Sequence, residues 1–448
     1  MKKRIISAIA VGVVAAAALT GCSSGGSSGG SKTITIAYES YGGKQMQNYM
    51  SRIAKQFDKK YPGYTAKLVP IQAAENDYYT KLALMNKSGA TAPDVLYEDT
   101  FLIKSDAAAG YLAPLDSEVK KWSDWSQFPT NARQAGEGAD GKLYGIPMGT
   151  DTRALWYNKT VLQKAGVSVP WQPKTWQDIL DTAKKIKAAE PGVIPFNIYS
   201  GKGTGEGSTM QGFEMLLYGT SDKLTTSDGK WVAGSKGFKD SLQFIKDVYG
   251  GGLGPTAQQA LDPNWGNQTP ALLSQNKLGI SLDGSWVSSS WGSAGVAPWS
   301  NWNSVMGQAK MPTQDGADPG ATSMSGGWTL AMGSKSKNPT AAWNFISLAL
   351  NKSNSLYYAT SNQNIPVRTD VASDPTYVKS NPTNAFFANL VKITNFRPAT
   401  SSYPAVSNNI QVAMESVMTG QQTPAQAQKV FDQALPQAVG GAKNVVTK

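Results

Sequence analysis

The sequence predicts an α/β protein built from more than one domain. Its 448 residues suit two or three domains of ordinary size. Hydrophobic residues make up 40% and charged residues 16%, which fits a globular, polar chain rather than a disordered one. Short segments of alternating apolar and polar residues take turns with longer ones whose apolar residues recur at helical spacing. That alternation implies parallel sheet covered by helices.

Residues 1–21 read as an export signal: "MKKR" is a basic start and "IISAIAVGVVAAAAL" an apolar run, followed by small residues. The run is shorter than the roughly 20 residues of a comfortable membrane span. It ends at "LTGC", which holds the only cysteine of the chain, Cys22. This stretch resembles the lipobox of bacterial lipoproteins, and the resemblance implies that Cys22 carries lipid and becomes the new N-terminus. The alternative is a plain secretory signal with an incidental cysteine. "SSGGSSGGS" follows with no core-forming residue, so residues 22–32 read as a lipidated cysteine and a flexible tether with a reach on the order of 15–20 Å.

The mature chain opens on "TITIAY" (33–38), which alternates like a strand. In the segment after it, Met46, Tyr49, Met50, Ile53 and Phe57 recur at helical spacing until Pro62-Gly63 stops the helix. "TAKLVPI" (65–71) and "PDVLYED" (93–99) are further strands, the latter ending in acids. Thr175 and Asp178 predict a capping box for a helix carrying Trp176, Ile179, Leu180, Ala183 and Ile186. "KLGISLDGSW" gives a strand with Asp283 and Trp286 at its carboxyl end, and "GGWTLAM" a short strand. Asn338-Pro339 predicts the cap of "AAWNFISLAL". Thr423, Pro424 and Gln426 predict the cap of a last helix containing Val430, Phe431 and Leu435.

Composition excludes several chemistries. There is no histidine, which removes Ser-His-Asp and Cys-His nucleophilic sites and histidine metal sites. One cysteine permits neither an internal disulfide nor a thiolate zinc site. The net charge is +11, but the lysines and arginines are scattered rather than clustered as a nucleic-acid footprint requires. "GKGTGEGST" (201–209) lacks the spacing of both GxxxxGK[ST] and GxGxxG, and reads as a mobile loop at a cleft rim.

In order and spacing, "PDVLYEDTFLIKSDAAAGYLAPLD", "DGKLYGIPMGTDTRALWYNKTVLQKAG", "GISLDGSW", "SGGWTLAMGSKSKNPTAAWNFI" and "FRPATSSYPAVSNNIQVAMESVMTGQQTPAQAQ" resemble the extracellular solute-binding proteins of ABC importers, in the cluster that binds sugars and oligosaccharides. The resemblance runs from "LTGC" to the last helix. It implies a periplasmic-binding-protein fold of the Venus-flytrap, class II type: two α/β lobes, each discontinuous in sequence, hinged around a cleft. By analogy one lobe takes 33–149 and 307–352 and the other 150–306 and 353–448. It further implies a monomer that captures a di- or oligosaccharide, uses no cofactor and no metal, catalyses nothing, and delivers the sugar to permease subunits from the outer face of the cell membrane. Three rivals remain at this stage: a secreted glycosidase, the same fold with a non-sugar solute, and an adhesin.

A sugar offers paired hydroxyls and weakly apolar C–H faces. Its site therefore needs planar polar groups and flat aromatic rings. In open α/β sheets ligands bind beyond the carboxyl ends of strands. Asp151 and Arg153 lie two apart on an extended segment and face the same side, as a hydroxyl-binding pair or as a simple ion pair. Asp99 and Asp283 each close a strand, and Trp286 and Trp328 follow glycines where a ring can stack on a pyranose. Gly327 precedes Trp328; Trp265 in "DPNWGNQ" is a further candidate, as are Glu39 and Tyr41 at a strand end. Arg397 in "NFRPA" matches a position that reaches the cleft in the family.

Overall fold

The computed structural model describes residues 32–448. The export signal, Cys22 and all but the last residue of the expected tether lie outside the described residues. The chain forms two α/β lobes, with a small three-stranded sheet packed against the second.

In the first lobe β1 (Lys32–Glu39) starts within the expected tether and buries Ile34, Ile36, Ala37 and Tyr38. It pairs in parallel with β2 (Tyr64–Ile71) and β3 (Val95–Asp99). Helix α1 (Gln45–Lys60) packs Tyr49, Met50, Ile53 and Phe57 onto this sheet, and ends with Lys59 and Lys60, which suit the negative end of its dipole. Helix α2 (Glu75–Asn86) follows β2. The fourth strand, β4 (Gly145–Pro147), is not the neighbour of β3.

The second lobe begins with β5 (Arg153–Asn158) and adds β6 (Ile194–Asn197). The short β7 (Trp231–Ala233) is set apart from its main sheet, which continues with β8 (Leu278–Gly284) and β9 (Met306–Ala309). The sheet order is β6-β8-β5-β9, with β5 antiparallel to both neighbours. The helix Trp176–Ala189 covers it; its Thr175–Asp178 capping box is formed and all its anticipated apolar residues are buried.

Next come β10 (Met311–Pro312) and β11 (Ala321–Ser325), which pack against β5 of the second lobe. Then β12 (Trp328–Met332) returns to the first lobe and inserts between β3 and β4, antiparallel to both. β13 (Thr394–Phe396) completes this small sheet beside β11, and β14 (Val445–Thr447) pairs with β7. The order β2-β1-β3-β12-β4 is thus assembled from segments far apart in sequence.

The passages between lobes are hydrogen-bonded to one another. Thr150 and Ile365 exchange backbone bonds at 2.8 Å, the Thr150 hydroxyl donates to Gly326 O at 2.8 Å, and Met148 N donates to Trp328 O at 2.9 Å. Gly327 sits here at φ +150°, and a Cβ on it would lie 2.4 Å from Gly149 O. Gly327→Ala is therefore expected to cost about 2 kcal/mol in denaturant unfolding, since neither backbone atom has room to yield.

Some details depart from the sequence reading. The changeover expected at residue 307 falls inside β9, which belongs to the second sheet. The first lobe continues past 352: Tyr358 packs 5.2 Å from Tyr49, and Arg368 pairs with Asp124 at 2.9 Å. Asn338 does not cap its helix through its side chain, whose amide instead reaches Thr33 O at 3.5 Å. In the last helix Phe431 and Leu435 are buried but Val430 points outward, because the face turned to the core is the stripe of Pro424, Ala427, Gln428, Phe431 and Leu435, which Val430 lies off.

Candidate ligand-binding site

A cavity of about 750 Å³ lies between the lobes, within the size range of small-molecule sites. The lobes touch across its mouth. Lys44 N donates to Ala294 O at 2.8 Å, Gln45 Nε2 to Ser289 O at 2.8 Å, and the Tyr41 hydroxyl to Pro263 O.

Strand direction explains what lines it. β1 and β3 run in parallel, so Glu39 and Asp99 end at the same edge. β12 runs the opposite way, and its register places its first residue, Trp328, against Asp99. On the facing lobe Arg153 opens β5 opposite Gly284, which brings Asp151, Arg153, Asp283 and Trp286 together. Glu39, Tyr41, Asp99, Asp151, Arg153, Asp283, Trp286, Gly327, Trp328 and Arg397 all line the cavity.

Trp265 does not. It is 1% exposed, and its indole N–H donates to Asn197 Oδ1 at 2.8 Å. It opens a helix that carries the ring inward, and the neighbouring Asn267 reaches the cavity instead.

The two tryptophans differ. Trp328 lies stacked on Tyr97, centroids 4.2 Å apart and planes 4° apart, so one face is backed and its partly exposed ring borders the cavity. The Trp286 ring carries the Arg153 guanidinium 4.7 Å above it. It also lies so close to Gly284 that a Cβ there would come within 2.0 Å of the indole.

Two buried ion pairs form the polar walls. Arg153 pairs with Asp151, which also accepts Gly326 N–H at 2.8 Å. Arg397 pairs with Asp99 at 2.6 Å and lies 3.6 Å from Glu206, while Asp99 accepts the Tyr79 hydroxyl at 2.9 Å. Burial raises the Asp283 carboxyl to about 6, against the opposing hydrogen bonds from Tyr199 and Gly284.

Glu39 and Glu75 meet neither a cation nor a hydrogen-bond donor among the described residues. Burial raises the Glu75 carboxyl to about 8, helped by the charge of Asp99 and resisted by Arg397. Burial likewise raises Glu39, with Glu75 and Asp99 adding to it. A carboxyl raised on folding supports the folded state fully below its unfolded value, and that support fades as pH climbs through the folded one. Glu75→Gln is therefore expected to melt near wild type at pH 4.5 but to gain on the order of 1 kcal/mol relative to it at pH 9.

Several lining residues escaped the sequence reading. Glu75 opens α2, just after the end of β2, a place where strand-end logic would have found it. Glu206 lies in the glycine-rich stretch read as a mobile rim loop. It is instead buried at 4% exposure, accepting from Ser407 at 2.6 Å and Tyr403 at 2.5 Å. No group of histidine, cysteine, aspartate and glutamate side chains suited to a metal ion occurs among the described residues, and none of their helices is long and apolar enough to cross a membrane.

Comparison with known proteins agrees with this architecture. A probable ABC transporter-binding protein of Deinococcus radiodurans is 28% identical over 422 residues, covering 91% of this chain and 94% of that one. A galactooligosaccharide-binding protein of Bacillus subtilis is 24% identical, covering 89% and 88%. A Thermotoga lettingae solute-binding protein, solved with α-D-tagatose bound, superposes with a TM-score of 0.80 at 25% identity, covering 92% of this chain and 100% of that one. The bacterial extracellular solute-binding protein family matches residues 43–355. With that match spanning more than half its length and its two lobes closing on one cavity, the chain belongs to the bacterial extracellular solute-binding proteins.

Proposed function

We propose that this protein captures a di- or oligosaccharide between its lobes and hands it to the permease of an ABC importer, held to the outer face of the membrane by lipid on Cys22. The observation that carries the sugar reading is the backed indole of Trp328, set beside the Asp99–Arg397 pair and facing Asp151–Arg153 across the cavity. A flat apolar platform with forked polar groups at its edges matches a pyranose ring and its hydroxyls. A solute that touches both lobes binds the closed form better, and that difference drives closure.

Asp99 and Asp151, the carboxylates a glycosidase would use here, are each committed to a buried arginine, which favours the binding reading. Calorimetry against di- to pentasaccharides is expected to give stoichiometric binding, with the sugar recovered intact after long incubation. A panel in which nothing binds tighter than millimolar removes the carbohydrate reading, and cleaved product removes the non-enzymatic one. Cys22→Ser is expected to shift the protein from the membrane fraction to the medium; retention on the membrane overturns the lipid anchor.

A further inference from the structure

The cavity is lined by more acid than base. Eight acidic residues, among them Glu39, Glu75, Asp99, Asp151, Glu206 and Asp283, line it against Arg153, Arg397 and the exposed Lys202. The arginines are already engaged, Arg153 by Asp151 and Arg397 by Asp99 and Glu206. Asp283 accepts the Tyr199 hydroxyl at 2.7 Å and Gly284 N–H at 2.8 Å. Glu39, at the end of β1, and Glu75, in the first turn of α2, are left over. Both open into the cavity on the wall that carries Trp328 and Tyr41.

A sugar hydroxyl can hydrogen-bond such a carboxyl but does nothing to favour its ionisation, whereas an ammonium supplies hydrogen bonds and charge together. Aromatic faces on the same wall also favour a cation. Resting on the carbohydrate reading above, we infer that the solute is an amino sugar, its ring laid on Trp328 and its protonated nitrogen taken up by Glu39 and Glu75. The titratable groups facing these two are Asp99 on β3, Tyr41 beyond the end of β1, Tyr78 and Tyr79 on α2, Glu206 on the opposite lobe, and the committed Arg397 and Arg153. In the absence of a cation, burial and mutual repulsion favour the protonated carboxyls, so an arriving ammonium ionises them and releases protons.

The test is calorimetry of the folded protein at pH 7 with matched pairs: glucosamine against glucose, galactosamine against galactose, and the β-1,4-linked glucosamine dimer against cellobiose. In at least one pair the amine is expected to bind at least about tenfold tighter. That ratio is expected to fall towards one in Glu39→Gln/Glu75→Gln, whose melting curve establishes that it is folded. Neutral sugars that bind as tightly as their amines overturn the inference and leave the carbohydrate reading standing, as does a ratio unchanged in the double variant. Spermidine binding tighter than every amino sugar overturns both.

Discussion

Arg397→Met is expected to lower stability by about 3 kcal/mol and to abolish tight solute binding. Arg397 is 8% exposed, and its guanidinium forks onto Asp99 at 2.6 Å, approaches Glu206 at 3.6 Å and lies 4.4 Å over the Phe101 ring. Methionine keeps much of the stem volume but leaves two buried carboxylates without their cation, and that uncompensated charge outweighs the small change in packing. Tyr79, Ser407 and Tyr403 still donate to those carboxylates, which holds the loss near the lower end for a broken buried pair. Arg397→Lys restores charge without the fork and is expected to recover only part of the stability. Denaturant unfolding of the three proteins side by side checks the order; a methionine variant within 1 kcal/mol of wild type, on the order of a surface pair's contribution, contradicts it.

Trp328→Ala is expected to weaken solute binding by roughly 2 kcal/mol, about thirtyfold in Kd, with a smaller loss for Trp286→Ala. The asymmetry follows from what already covers each ring. Trp328 has Tyr97 behind it, and Tyr78 and Tyr79 each 6.0 Å away, so it is held rigid with little entropy left to lose on binding. Trp286 shares its π surface with Arg153 and presses on Gly284, which leaves less of it for a solute. Titration calorimetry with the tightest sugar of the panel measures both. Equal losses at the two positions contradict the asymmetry.

Much of the fold was legible in the sequence because local physics dictated it. The period-two pattern of β1, the apolar stripe of α1 and the capping boxes at Thr175 and Thr423 each depend on residues within a few positions of one another. What local pattern does not encode is partner choice. Nothing in "GGWTLAM" says that it inserts between β3 and β4 rather than beside its sequence neighbours. The same distinction runs through the cavity. Asp99, Asp283 and Trp286 were found because strand ends gather at a sheet edge, a rule that operates on each strand separately. Trp265 was misplaced because whether a helix-opening ring turns inward depends on Asn197, nearly seventy residues away. Glu206 was missed because glycine-rich composition suggests freedom, while Tyr403 and Ser407 hold this carboxylate from the far end of the chain.

The late arrival of β12 has a consequence for biogenesis. A ribosome that has released the first hundred and fifty residues has made β1 to β4, yet β4 has no partner strand until residues 328–332 emerge. The nascent amino-terminal third can therefore pair β2, β1 and β3 but cannot complete its five-stranded sheet, since the strand that joins β4 to β3 is still unmade. This interleaving delays completion of the five-stranded sheet until nearly three quarters of the chain has been synthesised.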